Sequence, residues 1–190
     1  MTANEFRIGK SLVRLIKGDI TDVATDAIVN AANSTLMGGG GVDGAIHRKG
    51  GPRILEECRK IRETQYPEGL PTGQAIITSG GNLNAKKVIH TVGPVWSGGN
   101  RGEHALLAQA YLNSLRLAAA NGLRTVAFPS ISTGAYGYPL LDACKIAVRT
   151  IRSFLEAEDS LDEVVLVLFS EADLQVYRSV ATEAFGSKSR

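Results

Sequence analysis

Along this chain, short continuous apolar runs alternate with longer segments of helical period. Ser11–Lys17, residues 26–31 around Ala27-Ile28-Val29, 74–79 around Ala75-Ile76-Ile77-Thr78, 86–92 ending in Val88-Ile89-His90-Thr91-Val92, 124–129 and Val164–Phe169 are β-branched stretches of strand length. Several are apolar at every position, as expected when both faces of a strand are covered. Between them, helices are predicted from about Gly44 to Lys49, from Pro52 to Glu63, from Glu103 to Asn121 and from Pro139 onward, with a last one running to about Phe185. Pro52 suits a first helical turn and Asn121-Gly122 a helix stop. Leu107, Ala110, Tyr111, Ser114, Leu117 and Ala118 share one stripe. Leu141, Cys144, Val148, Ile151 and Leu155 form another, facing inward. Ser170 with Asp173 three residues on has the form of a helix N-cap pair. The short 80–84 link suits an antiparallel pair, while 96–102 reads as an exposed glycine-rich connection and 186–190 as a frayed end. The alternation predicts an α/β fold: a three-layer α/β/α sandwich with a mixed, mostly parallel central sheet.

The 190 residues favour a single domain spanning 1–190, its core at about 11–185, with no internal repeat and no linker. A 44% apolar content argues against disorder, and a net charge of only +2 does not by its total indicate a basic face for nucleic acid, which leaves a local patch open. Cys58 and Cys144 stand apart from any partner motif, which suits a reducing compartment rather than a disulfide framework or zinc site. The N-terminal residues lack a signal-like apolar run, and no stretch approaches a membrane span. The expectation is a cytoplasmic protein.

In an open α/β sheet, ligands collect at the carboxyl ends of parallel strands. The unusual stretches of this chain lie at such ends: Gly18-Asp19-Ile20, Asn30-Ala31-Ala32-Asn33 with the glycine run 38–41, Ser130 to Gly137, and Phe169-Ser170. Two of these loops are glycine-containing and precede helices, an arrangement whose backbone N–H groups cradle phosphate. Neither 38–45 nor 130–137 contains Lys or Arg, and the Gly-Lys-Ser/Thr of a P-loop is absent. Gly39, Gly41 and Gly44 match G-x-G-x-x-G only formally, because the run follows the second strand after five intervening residues. Tyr136 and Phe169 can stack on flat groups, Asp19 can accept from an amine, and Asn33 suits a ribose diol. A nucleotide with two phosphates and a sugar is the implied ligand. Each residue also has a plainer reading. Asp43 either caps a helix beginning at Gly44 or faces the crevice. Asn30 can close a turn, Asp19 can be a turn residue, and Phe169 can be core. His47 and His90 read as packing residues, and His104 as part of a helix start.

The motifs together resemble a known family. Gly18-Asp19-Ile20-Thr21, Ala27 to Asn33, Gly39-Gly40-Gly41-Val42-Asp43-Gly44-Ala45-Ile46-His47, Pro71-Thr72-Gly73, Val88 to Pro94, and Ile131 to Pro139 resemble a macrodomain of the MacroD-type branch, over about residues 11–180. The resemblance implies ADP-ribose and its esters as ligands. It assigns Asp19 to the adenine amine with help from the Ile20 backbone, and Phe169 to the adenine ring. The backbones of Gly41, Val42, Asp43, Gly44, Ala45 and Ile46, and of Ser132, Thr133, Gly134, Ala135 and Tyr136, would surround the diphosphate. Asn33 would bind the distal ribose with Tyr136 beside it, and Asp43 would position the attacking water. Leu70 replaces a frequent cysteine, and Arg48-Lys49-Gly50-Gly51 replaces an alanine-rich segment, altering the surface near the loop.

The implied activity is hydrolysis of esters on the distal ribose, either of O-acetyl-ADP-ribose or of ADP-ribosylated Asp and Glu on proteins. No cofactor and no metal is implied. A carboxylate of ordinary pKa near 4 is a weak base at neutral pH, so positioning of water by Asp43 is favoured over proton removal. The alternatives are a reader that binds ADP-ribose without cleaving it, or a protein-interaction regulator. Nothing in the sequence singles out an RNA or nuclease partner.

Overall fold

Seven strands hydrogen-bond into one sheet in the order β1-β2-β7-β6-β3-β5-β4 in a computed structural model that describes residues 2–186. The strands are β1 (Glu5–Ile8), β2 (Ser11–Lys17), β3 (Ala27–Ala32), β4 (Ala75–Ser79), β5 (Lys87–Val92), β6 (Thr125–Phe128) and β7 (Glu163–Leu168). Helices α1 (Gly41–Gly50), α2 (Pro52–Thr64), α3 (Glu103–Ala120), α4 (Leu140–Ala157) and α5 (Glu171–Gly186) complete the fold, with a single 3₁₀ turn at Ile20–Asp22. Strands β2, β7, β6, β3 and β5 are mutually parallel, and β1 and β4 close the edges antiparallel. The sheet is therefore mixed and mostly parallel, between two helical layers.

The continuous apolar runs have a direct physical cause. Successive strand residues point to opposite faces, and here both faces are covered. Val29, Ile89, Phe128 and Leu166 enter the core under α3, α4 and α5, while their neighbours Ile28, Val88, Ala127 and Val165 enter the one under α1 and α2. Each fully buried aliphatic side chain contributes roughly 1.5–3 kcal/mol, so neither layer can be shed without unfolding the sheet.

Several expectations are corrected. An edge strand, β1, precedes the first predicted one; charged Glu5 and Arg7 interrupt it, so it carries no continuous apolar run. Helix α1 starts at Gly41, ahead of the expected Gly44, with Gly40 as its N-cap and no side-chain cap. Asp43 is therefore inside the first turn and does not cap. Leu141 is 49% exposed. It lies in the first turn of α4, where Leu140 packs against the core instead. Leu115 is fully buried, whereas Leu117 is only half buried. Asn30 closes no turn, since it lies in mid-β3 and is fully buried. Phe169 follows the end of β7 and is 87% exposed, so it is not core. The Ser170 Oγ does accept from the Asp173 N–H, at 3.1 Å. Gly186 closes α5, and the remainder of the predicted frayed end, 187–190, lies outside the described residues.

At the rim where the parallel strands begin, Asp26 ties three segments together. Its carboxylate accepts from the Arg124 N–H (2.8 Å) and the Thr125 N–H (3.1 Å), and it pairs with Lys86 (3.4 Å). Charge-assisted bonds of this kind contribute about 1.5–3 kcal/mol. The Asp26→Ala variant is expected to lose about that much unfolding free energy in urea titration, with ligand affinity at the opposite rim unchanged.

Candidate functional site

Because β2, β3, β6 and β7 are parallel, the turns that follow them emerge on one rim. They enclose a crevice of about 790 Å³. Asp19 and Ile20 come from the turn after β2. Asn33 and Gly39 to Asp43 follow β3, Ser130 to Tyr136 follow β6, and Phe169 follows β7. The sequence-expected residues Asp19, Ile20, Asn33, Gly41, Val42, Asp43, Ala45, Ser132, Thr133, Gly134, Ala135, Tyr136 and Phe169 all line this one space. Gly44 and Ile46 do not. The Gly44 N–H already donates to Gly40 O (3.2 Å), closing the first helical hydrogen bond, and Ile46, on the inner face of α1, is fully buried in the core.

The middle of the crevice is walled by backbone. The N–H groups of Gly41, Val42 and Asp43 occupy the first turn of α1, where no intrahelical acceptor exists. Across from them, none of the N–H groups from Ser132 to Tyr136 donates to another protein group among the described residues. The second loop is nevertheless held in place. Ile131 N–H donates to Tyr111 Oη (3.2 Å), Tyr138 N–H to Ser132 O (2.9 Å), and Trp96 N–H to Tyr136 O (2.8 Å). Ser132 sits at φ +67°, a strained conformation for a residue with a side chain. Gly93 makes this approach feasible, since a Cβ there would collide with Ser132 Oγ and Ile131. Two rows of oriented dipoles with no acceptor of their own form an anion cradle, reinforced by the positive end of α1.

One end of the crevice suits a flat ring. Phe169 is exposed there, and Asp19 caps the turn with Oδ1, accepting from Thr21 N–H (2.9 Å) and Thr21 Oγ1 (2.7 Å). Those bonds hold its carboxyl below the usual carboxylate range, so the group is an anion and its second oxygen remains an acceptor. The turn reading and the binding reading of Asp19 are thus compatible.

The other end holds Asn33 and Asp43 side by side under Gly39. A Cβ on Gly39 would lie 3.1 Å from Asp43 Oδ2 and 3.2 Å from Asn33 Nδ2, so the bare backbone there fits closely over both groups. Asn33 is braced within its loop, donating to Gly38 O (3.0 Å) and accepting from Thr35 N–H (3.0 Å). Asp43 is 5% exposed. Its Oδ1 accepts from Asn30 Nδ2 (2.8 Å) and lies 3.3 Å from His47 Nε2. Behind it, burial above all holds the His90 ring neutral, with its pKa lowered to about 3. Burial, with Asp43 and Glu57 nearby, pushes the Cys58 thiol up to about 12, which excludes it as a thiolate nucleophile.

Among the lining residues that sequence reasoning missed are two charged side chains, Arg48 and Asp173. Arg48 follows Gly44 by one helical turn, a spacing that could have placed it on the crevice face of α1. Among the described residues, no group of three or more His, Cys, Asp or Glu side chains is arranged to hold a metal ion.

Fold and crevice together define an α/β/α protein built to bind a nucleoside diphosphate sugar. The Macro domain family model matches residues 29–147, and the chain belongs to the macrodomain family. It is 57% identical over 174 residues to a macro domain-containing protein of Caldanaerobacter subterraneus, covering 92% of this chain and 98% of that one. It is 52% identical over 174 residues to the O-acetyl-ADP-ribose deacetylase of Escherichia coli, covering 92% and 97%. Among solved structures, the Oceanobacillus iheyensis macrodomain with ADP superimposes with a TM-score of 0.93 at 44% identity, covering 97% of each chain. The Trypanosoma brucei macrodomain in complex with ADP-ribose gives 0.80 at 43% identity, covering 88% of this chain and 68% of that one.

The buried neutral His90 has a thermodynamic consequence. Its folded pKa, about 3, lies below its unfolded value of 6.5, so the unfolded chain takes up the proton first. Stability is full above pH 6.5 and declines as pH falls, by up to about 1.4 kcal/mol per pH unit. The carboxylates held low by hydrogen bonds, such as Asp26, add their own loss only at lower pH. Denaturant unfolding at a series of pH values from 7 to 5 is expected to show this slope, and His90→Gln is expected to flatten it.

Proposed function

We propose that the crevice binds ADP-ribose and that the protein hydrolyses the acetyl ester of O-acetyl-ADP-ribose, with ADP-ribosyl esters of Asp and Glu side chains on proteins as the wider substrate class. The observation that carries this reading is the crevice's order. A ring platform and an amine acceptor lie at one end, two rows of unpaired amides in the middle, and a buried carboxylate beside a carboxamide at the other end. The deacetylase relative of Escherichia coli supports the same chemistry.

On this reading the adenine stacks on Phe169 and its amine donates to Asp19. The diphosphate lies between the α1 N-terminus and residues 132–136, and the distal ribose meets Asn33 and Tyr136. These contacts are remote from the ester, and their binding energy holds it in one orientation. Asp43 positions a water against the ester carbonyl. The water oxygen forms a new bond to the acyl carbon, the ribose–oxygen bond to that carbon breaks, and the ribose hydroxyl recovers a proton. The products are ADP-ribose and acetate, or ADP-ribose and the free carboxyl side chain. An activated ester needs only this modest assistance, and no cofactor is involved. ADP-ribosylated proteins are the macromolecular partners. Among the described residues no helix is long and apolar enough to cross a membrane, and two buried free thiols suit the reducing cytoplasm.

Incubation with O-acetyl-ADP-ribose tests the reading by release of acetate, and a glutamate-ADP-ribosylated protein tests the wider class by release of ADP-ribose. Asp43→Ala and Asn33→Ala are each expected to lower turnover by about tenfold or more, with Asp43→Ala keeping ADP-ribose affinity within a few-fold by calorimetry. Phe169→Ala is expected to weaken ADP-ribose binding by roughly 5- to 150-fold, the equivalent of about 1–3 kcal/mol of base stacking. Calorimetric binding with no turnover of either ester would identify a reader in place of a hydrolase.

A further inference from the structure

Asn30 is a fully buried carboxamide in the middle of a central strand, where an aliphatic residue would pack at lower cost. Its Nδ2 has two hydrogens and faces two acceptors, Asp43 Oδ1 at 2.8 Å and His90 Nδ1 at 3.1 Å. The amide can sit only this way round. Flipping it would set Oδ1 against a carboxylate and a ring lone pair.

The far side of the ring fixes the direction of the chain. With the Thr78 hydroxyl hydrogen on Ser79 O (3.0 Å), Thr78 Oγ1 accepts from His90 Nε2–H at 2.9 Å, and Cys58 Sγ lies 3.8 Å from the same nitrogen. The neutral ring therefore carries its proton on Nε2 and presents a lone pair on Nδ1. Every hydrogen in the series Thr78, His90, Asn30 has one assignment, and the series ends on Asp43. All three residues are buried: Thr78 is 3% exposed, His90 1% and Asn30 0%. None of them lines the crevice.

We propose that Asn30 and His90 are positioning residues, which aim the Asp43 carboxylate into the crevice through a one-directional hydrogen-bond chain running from β4 across β5 to β3. The chain grips Oδ1 from behind and leaves Oδ2 at the face shared with Asn33 and Gly39. It rests on the reading of Asp43 as the group that positions water, and it deepens that reading by naming what fixes the carboxylate's rotamer. Without the Nδ1 acceptor, one Asn30 hydrogen loses its partner and the amide is held by Asp43 alone, so the donor to Oδ1 is less firmly fixed.

Two measurements test this. At neutral pH, the ¹⁵N spectrum of the wild-type protein is expected to show His90 protonated on Nε2 alone. A ring protonated on Nδ1, or on both nitrogens, would overturn the chain whether or not the protein turns over any ester. Kinetics then compare His90→Phe and Asn30→Leu, which remove the chain, with His90→Gln, which keeps an acceptor and a donor. The removals are expected to lower kcat by about 10- to 100-fold, with KM and the ADP-ribose Kd within about threefold of wild type, and His90→Gln is expected to recover most of kcat. A folded His90→Phe protein with wild-type kcat would overturn the proposal, as would His90→Gln no better than His90→Phe. If His90→Phe fails to fold, the His90→Gln kcat and the Asn30→Leu kinetics decide it. Wild-type protein that binds ADP-ribose but releases no acetate removes the hydrolase reading itself, and the tautomer measurement still stands or falls separately.

Discussion

An unpaired backbone N–H group inside a folded protein needs an acceptor, and this structure gathers two rows of them at one rim. The parallel sheet makes that possible. Its central strands all end on the same side, so each following turn has to begin there, and two of those turns begin with amides that no helix or strand can satisfy. The close fit of the 131–132 loop over Gly93 and the strained Ser132 follow from bringing the second row up to face the first. Strain of this kind persists because the loop is tied down at both ends by Tyr111, Trp96 and Tyr138.

The opposite rim and the two cores carry the stability, and the crevice rim carries the chemistry. Asp26 and mid-strand residues such as Val29 and Val165 hold the sheet without touching the ligand space. The polar groups buried near the crevice are different. Asn30, Thr78 and His90 are buried polar residues linked in one series, and the series connects to Asp43. A neutral histidine held by burial contributes nothing to packing that an aliphatic side chain would not, so its hydrogen-bond direction is the property that distinguishes it.

Much of this was legible in the residues. Runs such as Val88 to Val92 announce strands covered on both faces, and the glycine run next to Asn33 announces a ligand loop. The mostly parallel sandwich and the convergence on one rim of the loops that carry Asp19, Asn33, Ser132 to Tyr136 and Phe169 followed from strand direction, while the role of Asp43 came from the family resemblance. What was not legible depends on three-dimensional neighbours. Phe169 stood open between core and stacking platform, and the end of β7 at Leu168, which turns it outward, decides between them. Gly44 and Ile46 lie in the same motif as Asp43, yet helical geometry sends one into the hydrogen-bond ladder and the other into the core. Asn30 and His90 are sixty residues apart in sequence, and only the β3–β5 register, which places them opposite one another, shows that they act together.

The cradle of amides has one more effect. Dipoles that recognise a diphosphate do so whether or not the sugar still carries its acyl group, because the two molecules are identical along the whole length of that contact. The grip that orients the ester therefore also retains what is left after cleavage, and spent ligand competes with fresh ester for the same place. Departure of ADP-ribose from the same cradle is therefore a step that every turnover has to include.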